Sequence, residues 1–175
     1  ALRAAMIASE TGARLHLQHV VNLGALDMLR HLLDSNERGI EQRLLDGVRG
    51  ELEALAAELV EKWQVAPELR LSTGSVLGEI TSYADAIDAG IVVMGARGAG
   101  FLRELLIGST TERVLSKARH PLLVVKQIPH EAYRRVLVPV DFSGRSIAAI
   151  RLARAVAPAA EIVLLHAFEV PFEGK

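Results

Sequence analysis

The residues most able to do chemistry lie in one segment, Met94-Gly95-Ala96-Arg97-Gly98-Ala99-Gly100, continued by Phe101 to Ile107 and then Gly108-Ser109-Thr110-Thr111-Glu112. Backbone without Cβ atoms can approach phosphate oxygens closely. A helix that starts just after such a stretch aims free N–H groups and the positive end of its dipole at the same anion. The hydroxyls of Ser109, Thr110 and Thr111 add donors. The segment is therefore a candidate phosphate cradle. Two common fingerprints fail on it. Gly95 and Gly100 have P-loop spacing, but Phe101 stands where Lys is needed. Gly98-x-Gly100 opens a dinucleotide fingerprint, but Arg103 occupies the place of its third glycine.

Other chemistry is sparse. There is no cysteine, so thiolate chemistry and disulfides are out. His16 and His19, three apart on a strand, face opposite sides and do not suit chelation. His31, His120 and His130 show no ligand spacing, and no Ser-His-Asp set is legible. Ser109 with Glu112 also forms an S-x-x-E capping box, which needs no ligand. The net charge of −1, without a basic block, argues against a nucleic-acid surface. No apolar run reaches the ~20 residues of a membrane-spanning helix, so the expected location is cytoplasmic, with no membrane partner.

The elements that must position the cradle follow from hydrophobic periodicity. Short β-branched runs predict strands at Leu15 to Val21, Leu69 to Val76, Ile91 to Met94, Pro121 to Val125, Val136 to Val140 and Glu161 to His166. Between them, Ile40, Leu44, Val48, Leu52, Leu55 and Leu59 form one stripe on a helix from about Glu37 to Lys62, with Glu41, Glu51, Glu53 and Glu58 on its wet side. A second helix is expected over Glu79 to Asp88 and a third over Ser109 to Arg119, ending before Pro121. Strands alternating with helices predict an α/β fold, a parallel sheet with helices on both faces. In such a sheet a ligand binds at the carboxyl ends of the strands, where Met94 and Gly95 lie.

The chain also resembles itself. Ala1-Leu2-Arg3 matches Ala149-Ile150-Arg151, and Leu15 to His19 matches Ile162 to His166, roughly one domain length apart. The expected organisation is a domain over 1–126 lacking its first strand, a linker over 127–134, and over 135–175 the first strand, helix and second strand of a second copy.

Gly95, two residues, Gly98, nine residues, then Gly108-Ser109 matches the nucleotide-binding signature of the universal stress protein family. Val136-Leu137-Val138-Pro139-Val140-Asp141-Phe142-Ser143 resembles that family's first strand and turn. Leu17 to Val21 resembles its second strand, Gly74 its glycine after the third, Ile91 to Gly95 its fourth strand and His120 to Val125 its fifth. The resemblance implies a Rossmann-like open parallel five-stranded sheet in the order 3-2-1-4-5. It implies ATP as ligand, with Mg2+ as an optional companion. Gly95, Gly98, Gly108, Ser109 and Thr110 would hold phosphates and ribose, with Arg97 over the phosphates. Val20 would line the adenine pocket, with Met94 and Pro139 beside the site, and Asp141 would bond the adenine or ribose edge.

Asp141 belongs to the second copy, however, and the glycine segment to the first. A central position without its strand exposes two edges. Val136 to Asp141 has the pattern to fill it, from the same chain or by exchange within a homodimer. The implied function is a stress-response or signalling module without rapid catalysis. The alternatives are a structural dimerisation module of the same fold and a slow ATPase.

Overall fold

The computed structural model describes residues 1–22, 37–96, 109–117 and 119–168. In chain order they form α1 (Leu2–Thr11), β1 (His16–Val21), α2 (Glu37–Trp63), β2 (Glu68–Thr73), α3 (Val76–Ala86), β3 (Val92–Gly95), α4 (Ser109–Lys117), β4 (Leu122–Val125), β5 (Arg135–Pro139), α5 (Gly144–Val156) and β6 (Glu161–Leu165). Among the described residues, no helix is long and apolar enough to cross a membrane.

All strand pairs are parallel, as the alternating pattern predicts. Among the described residues they form three two-stranded sheets, β1–β2, β3–β4 and β5–β6, rather than the single five-stranded sheet expected. His16 lies opposite Glu68 and Val21 opposite Thr73, Val92 opposite Leu122, and Arg135 opposite Glu161. The segment expected to fill a central position in the first sheet, Val136 to Asp141, does not do so within the chain. Its strand pairs with β6 instead. The physical reason is locality: β5, α5 and β6 are consecutive, and a short helical crossover closes at lower entropic cost than a return across the whole chain.

A two-stranded sheet is marginal alone, so the helices must supply the burial. The main core joins Ala5 and Ala8 of α1, Leu15 and Leu17 around β1, and Leu59 of α2, with Leu52, Leu55 and Trp63 packed against it. The apolar stripe of α2 is covered only in its second half. Leu59 is fully buried, whereas Leu44 is 38% exposed. Glu51, Glu53 and Glu58 are on the wet side, as expected. The side chains of Ile40 and Glu41 lie outside the described residues. Ala residues in α1 let it sit close to α2, and Gly12 ends it in the left-handed region (φ 70°), with its N–H donating to Ala8 O at 2.9 Å.

One boundary differs from expectation. The second strand stops at Thr73, and α3 begins at Val76, three residues before Glu79. Gly74 takes φ 135°, a conformation that side chains rarely allow, and Ser75 follows as N-cap in extended geometry. The Gly-Ser pair therefore ends the strand and starts the helix before Val76, despite that residue's β-branched side chain.

Residues 126–134 form no helix or strand. They are pinned to α1 by Arg3, whose Nη1 donates to Glu131 O at 2.9 Å and whose guanidinium lies 4.0 Å from the Tyr133 ring centre.

Burial sets the expected cost of truncation along α2. Leu59→Ala is expected to lower stability by about 3 kcal/mol, and Leu44→Ala by less than ~1 kcal/mol. Urea unfolding followed by circular dichroism measures both, and equal losses would contradict the placement of the core.

Candidate functional site

The site is built where β3 ends. Ala96 N donates to Val125 O at 2.9 Å, the last ladder bond between β3 and β4, and Ala96 is buried. Arg97, Gly98 and Gly108 lie outside the described residues. The chain is described again at Ser109, the first residue of α4. Thr111, only 4% exposed, donates its hydroxyl to the carbonyl of Gly95 at 3.0 Å. Val114, one turn further on, is fully buried. The first turn of α4 is thus tied to the carboxyl end of β3, although the two are far apart in sequence. The free N–H groups of that turn and the positive end of the helix dipole therefore sit beside the strand end.

Of the other expected site residues, Met94 is a half-buried member of β3 opposite Val124, and Val20 is a half-buried member of β1 opposite Ser72. Both lie next to the carboxyl ends of their strands. Thr110 and Ser109 belong to the first turn of α4, with their side chains outside the described set. Helix α3 packs against β1, β2 and α4, and so holds the neighbourhood of both strand ends together. The tie through Thr111 goes beyond the donor role expected of its hydroxyl. Its only signal in the sequence is a hydroxyl two residues after the helix start.

Pro139 and Asp141 are elsewhere, at the carboxyl end of the third sheet. Asp141 Oδ1 accepts from Ser143 N at 3.0 Å and from Ser146 Oγ at 2.6 Å, and Asp141 N donates to Ser146 Oγ at 3.0 Å. Ser143 is the N-cap residue of α5 and makes no side-chain cap bond of its own; the Asp141 carboxylate braces the turn that leads into the helix. Hydrogen bonds from Ser143 and Ser146 hold its carboxyl well below the usual carboxylate range. Ser146 was not singled out in the sequence. The spacing Asp141, Ser143, Ser146 around a helix start is the signal that points to it.

Phe142, between them, takes φ 62° and is 79% exposed. Its ring centre lies 4.6 Å from that of His166, whose Nδ1 donates to Val140 O at 2.7 Å. His16 is likewise bonded, 3.0 Å from the Tyr83 hydroxyl, while His19 is exposed. Among the described residues, no three His, Cys, Asp or Glu side chains are grouped to hold a metal.

Comparison with known proteins gives this geometry its context. Universal stress protein MJ0531 of Methanocaldococcus jannaschii is 36% identical over 70 residues, 40% of this chain and 41% of that protein. Universal stress protein MJ0577 of the same organism is 28% identical over 99 residues, 57% of this chain and 60% of that protein. The chain therefore spans between two fifths and three fifths of the length of these relatives. The solved structure of MJ0577 superposes with a TM-score of 0.56 at 25% identity, covering 73% of this chain and 91% of that one. A universal stress protein from Archaeoglobus fulgidus has the same fold over 98% of this chain and 62% of its own, with a TM-score of 0.68 at 21% identity. The model of the universal stress protein family matches residues 1–126, and the chain belongs to that family.

Proposed function

We propose that this chain binds an adenine nucleotide, ATP above all, at the carboxyl end of β3. The observation that carries this reading is the bond from Thr111 to Gly95, which brings a helix N-terminus to a strand end at both borders of a glycine-rich segment. In this reading Gly95, Arg97, Gly98, Gly108, Ser109 and Thr110 seat the phosphates and ribose, Val20 lines the base pocket, and Met94 lies beside the site. Mg2+ would arrive on the phosphate oxygens, since the described residues group no carboxylates into a cage. The chain's own residues bind and orient the nucleotide, and the sequence marks no clear general base beside the glycine segment. The reading is therefore a stress-response module that retains its nucleotide rather than turning it over rapidly, acting in the cytoplasm.

The organisation we propose is a domain over 1–126, a linker over 127–134 and the start of a second copy over 135–175. The repeat supports it, since β6 follows α5 in chain order as β1 follows α1. In the order 3-2-1-4-5, β2–β1 would be the 3-2 pair and β3–β4 the 4-5 pair. A homodimer would meet along Leu122–Val125, with β5 of a second chain as one candidate for the central position. A structural dimerisation module with a weak site is the second reading. It is favoured by Asp141, whose carboxylate is already engaged by Ser143 and Ser146 on another sheet.

Thermal unfolding with increasing ATP tests the first reading. A ligand that binds only the folded state stabilises it by about 2.7 kcal/mol at a hundredfold excess over Kd. Gly98→Val is expected to abolish that gain with the fold retained, and an unchanged gain would remove the glycine segment from the site. Thr111→Val is expected to cost about 1 kcal/mol of stability and to weaken ATP binding on the order of tenfold; undiminished affinity would contradict the role of the tie. Asp141 has a depressed folded-state pKa. Its stabilisation is therefore present above its unfolded value, near 4, and is lost as the pH falls further. Asp141→Asn should flatten the acid limb of stability and, on the second reading, leave ATP affinity as it was. An acid limb identical to that of the unsubstituted chain would contradict the carboxylate's part in that turn.

A further inference from the structure

Helix α1 is buried on two opposite faces. Ala4, Ala5 and Ala8 lie on the side of the core formed with β1 and α2. Arg3, Met6 and Ile7, at i, i+3 and i+4, share the other side. Met6 and Ile7 are buried like the alanines, yet neither belongs to that core. A helix that is apolar on both sides needs a neighbour on both. Ser9 and Glu10 are exposed, so the second cover lies over the first two turns only.

The elements that reach this second face come from the far end of the chain. Helix α5 packs beside α1. Arg3, on the same face as Met6 and Ile7, holds the segment before β5, with Nη1 on the Glu131 carbonyl and the guanidinium over the Tyr133 ring. Its Nε is withdrawn from water, so the guanidinium is enclosed by its partners rather than laid on the surface. Helices α1 and α5 are also the pair that the sequence repeat matches, Ala1-Leu2-Arg3 against Ala149-Ile150-Arg151. Like surfaces that meet each other have the geometry of a two-fold contact.

We propose that Met6 and Ile7 form a docking surface for α5, closed at its rim by Arg3 on Glu131 and Tyr133. Residues 126–134 are then a latched strap rather than a free tether, and the third sheet with its helix is carried on α1 as one body with the first unit. The inference rests on the division at 127–134 proposed above and is independent of the nucleotide.

The chain has no cysteine. Spin labels on Glu51→Cys in α2 and Ala149→Cys in α5, both exposed positions, therefore report the distance between the two units by double electron–electron resonance. One narrow distance distribution is expected, which broadens when Arg3→Ala or Ile7→Ala is added. Trypsin reads the strap itself, at Lys126 and Arg134. Arg3→Ala should speed cleavage there about tenfold, through loss of the ring contact and of the bond to Glu131. Arg3→Lys keeps the charge without the planar fork and should speed it about threefold. Tyr133→Phe keeps the ring and should leave it unchanged. Cleavage at Arg49 in α2 should stay slow throughout, since the first unit keeps its fold. A broad distribution with Arg3 and Ile7 in place, strap cleavage unaffected by Arg3→Ala, or equal acceleration at Arg49 would overturn the proposal. Stabilisation by ATP, measured on the same variants, would stand or fall separately.

Discussion

The proposed site depends on one tie between residues sixteen apart in the chain, the hydroxyl of Thr111 on the carbonyl of Gly95. Gly95 is the last residue of its strand, and beyond the ladder its carbonyl would otherwise face solvent or stay unpaired. Thr111 sits in the first helical turn and is buried, so its hydroxyl must find an acceptor. Satisfying both groups with one bond fixes where the helix begins relative to the strand. It also leaves the free N–H groups of that turn available for an anion. A structural need and a binding capacity are thus met by the same geometry.

Around that tie, α3 does the joining that strand pairing does not. It meets β1 through Gln18, whose Nε2 donates to Glu79 O at 3.2 Å, and through His16, bonded to the Tyr83 hydroxyl. It meets the segment before β4 through Asp85, whose Oδ1 is 2.8 Å from Nε2 of His120. These contacts hang the β1–β2 pair and the border of the β3–β4 pair on one helix. The third sheet keeps its own polar closure, with Asp141, Ser143 and Ser146 bracing the turn into α5. Among the described residues, the polar groups that join strand to helix are thus mostly bonded locally, the buried Ser143 hydroxyl excepted.

That local satisfaction explains what was legible in the sequence. The strands at Val92–Gly95 and Leu122–Val125 lie within a residue of expectation, because short apolar runs bounded by Gly, Pro or His leave little choice of structure. The long helix was legible from its stripe, and the family from its glycine spacing. The start of α3 was not, because the β-branched Val76 suggested strand while Gly74 and Ser75 decided otherwise through backbone conformation. Nor was the division into three sheets, since apolar alternation marks a strand without naming its neighbour. At the site, the glycines and Ser109 stood out by type and spacing. Thr111 as a tether and Ser146 as the partner of Asp141 did not, because their roles lie in contacts across the fold.

The central claim is that the first turn of α4, set against the end of β3, receives the phosphates of a nucleotide. Hydrogen–deuterium exchange with and without ATP tests it most directly. The account predicts that ATP slows exchange at the amides of Gly95 to Gly98 and Gly108 to Thr111, leaving the turn at Asp141 to Ser146 unchanged. Protection confined to that turn, or no protection at the start of α4 at saturating ATP, would contradict it.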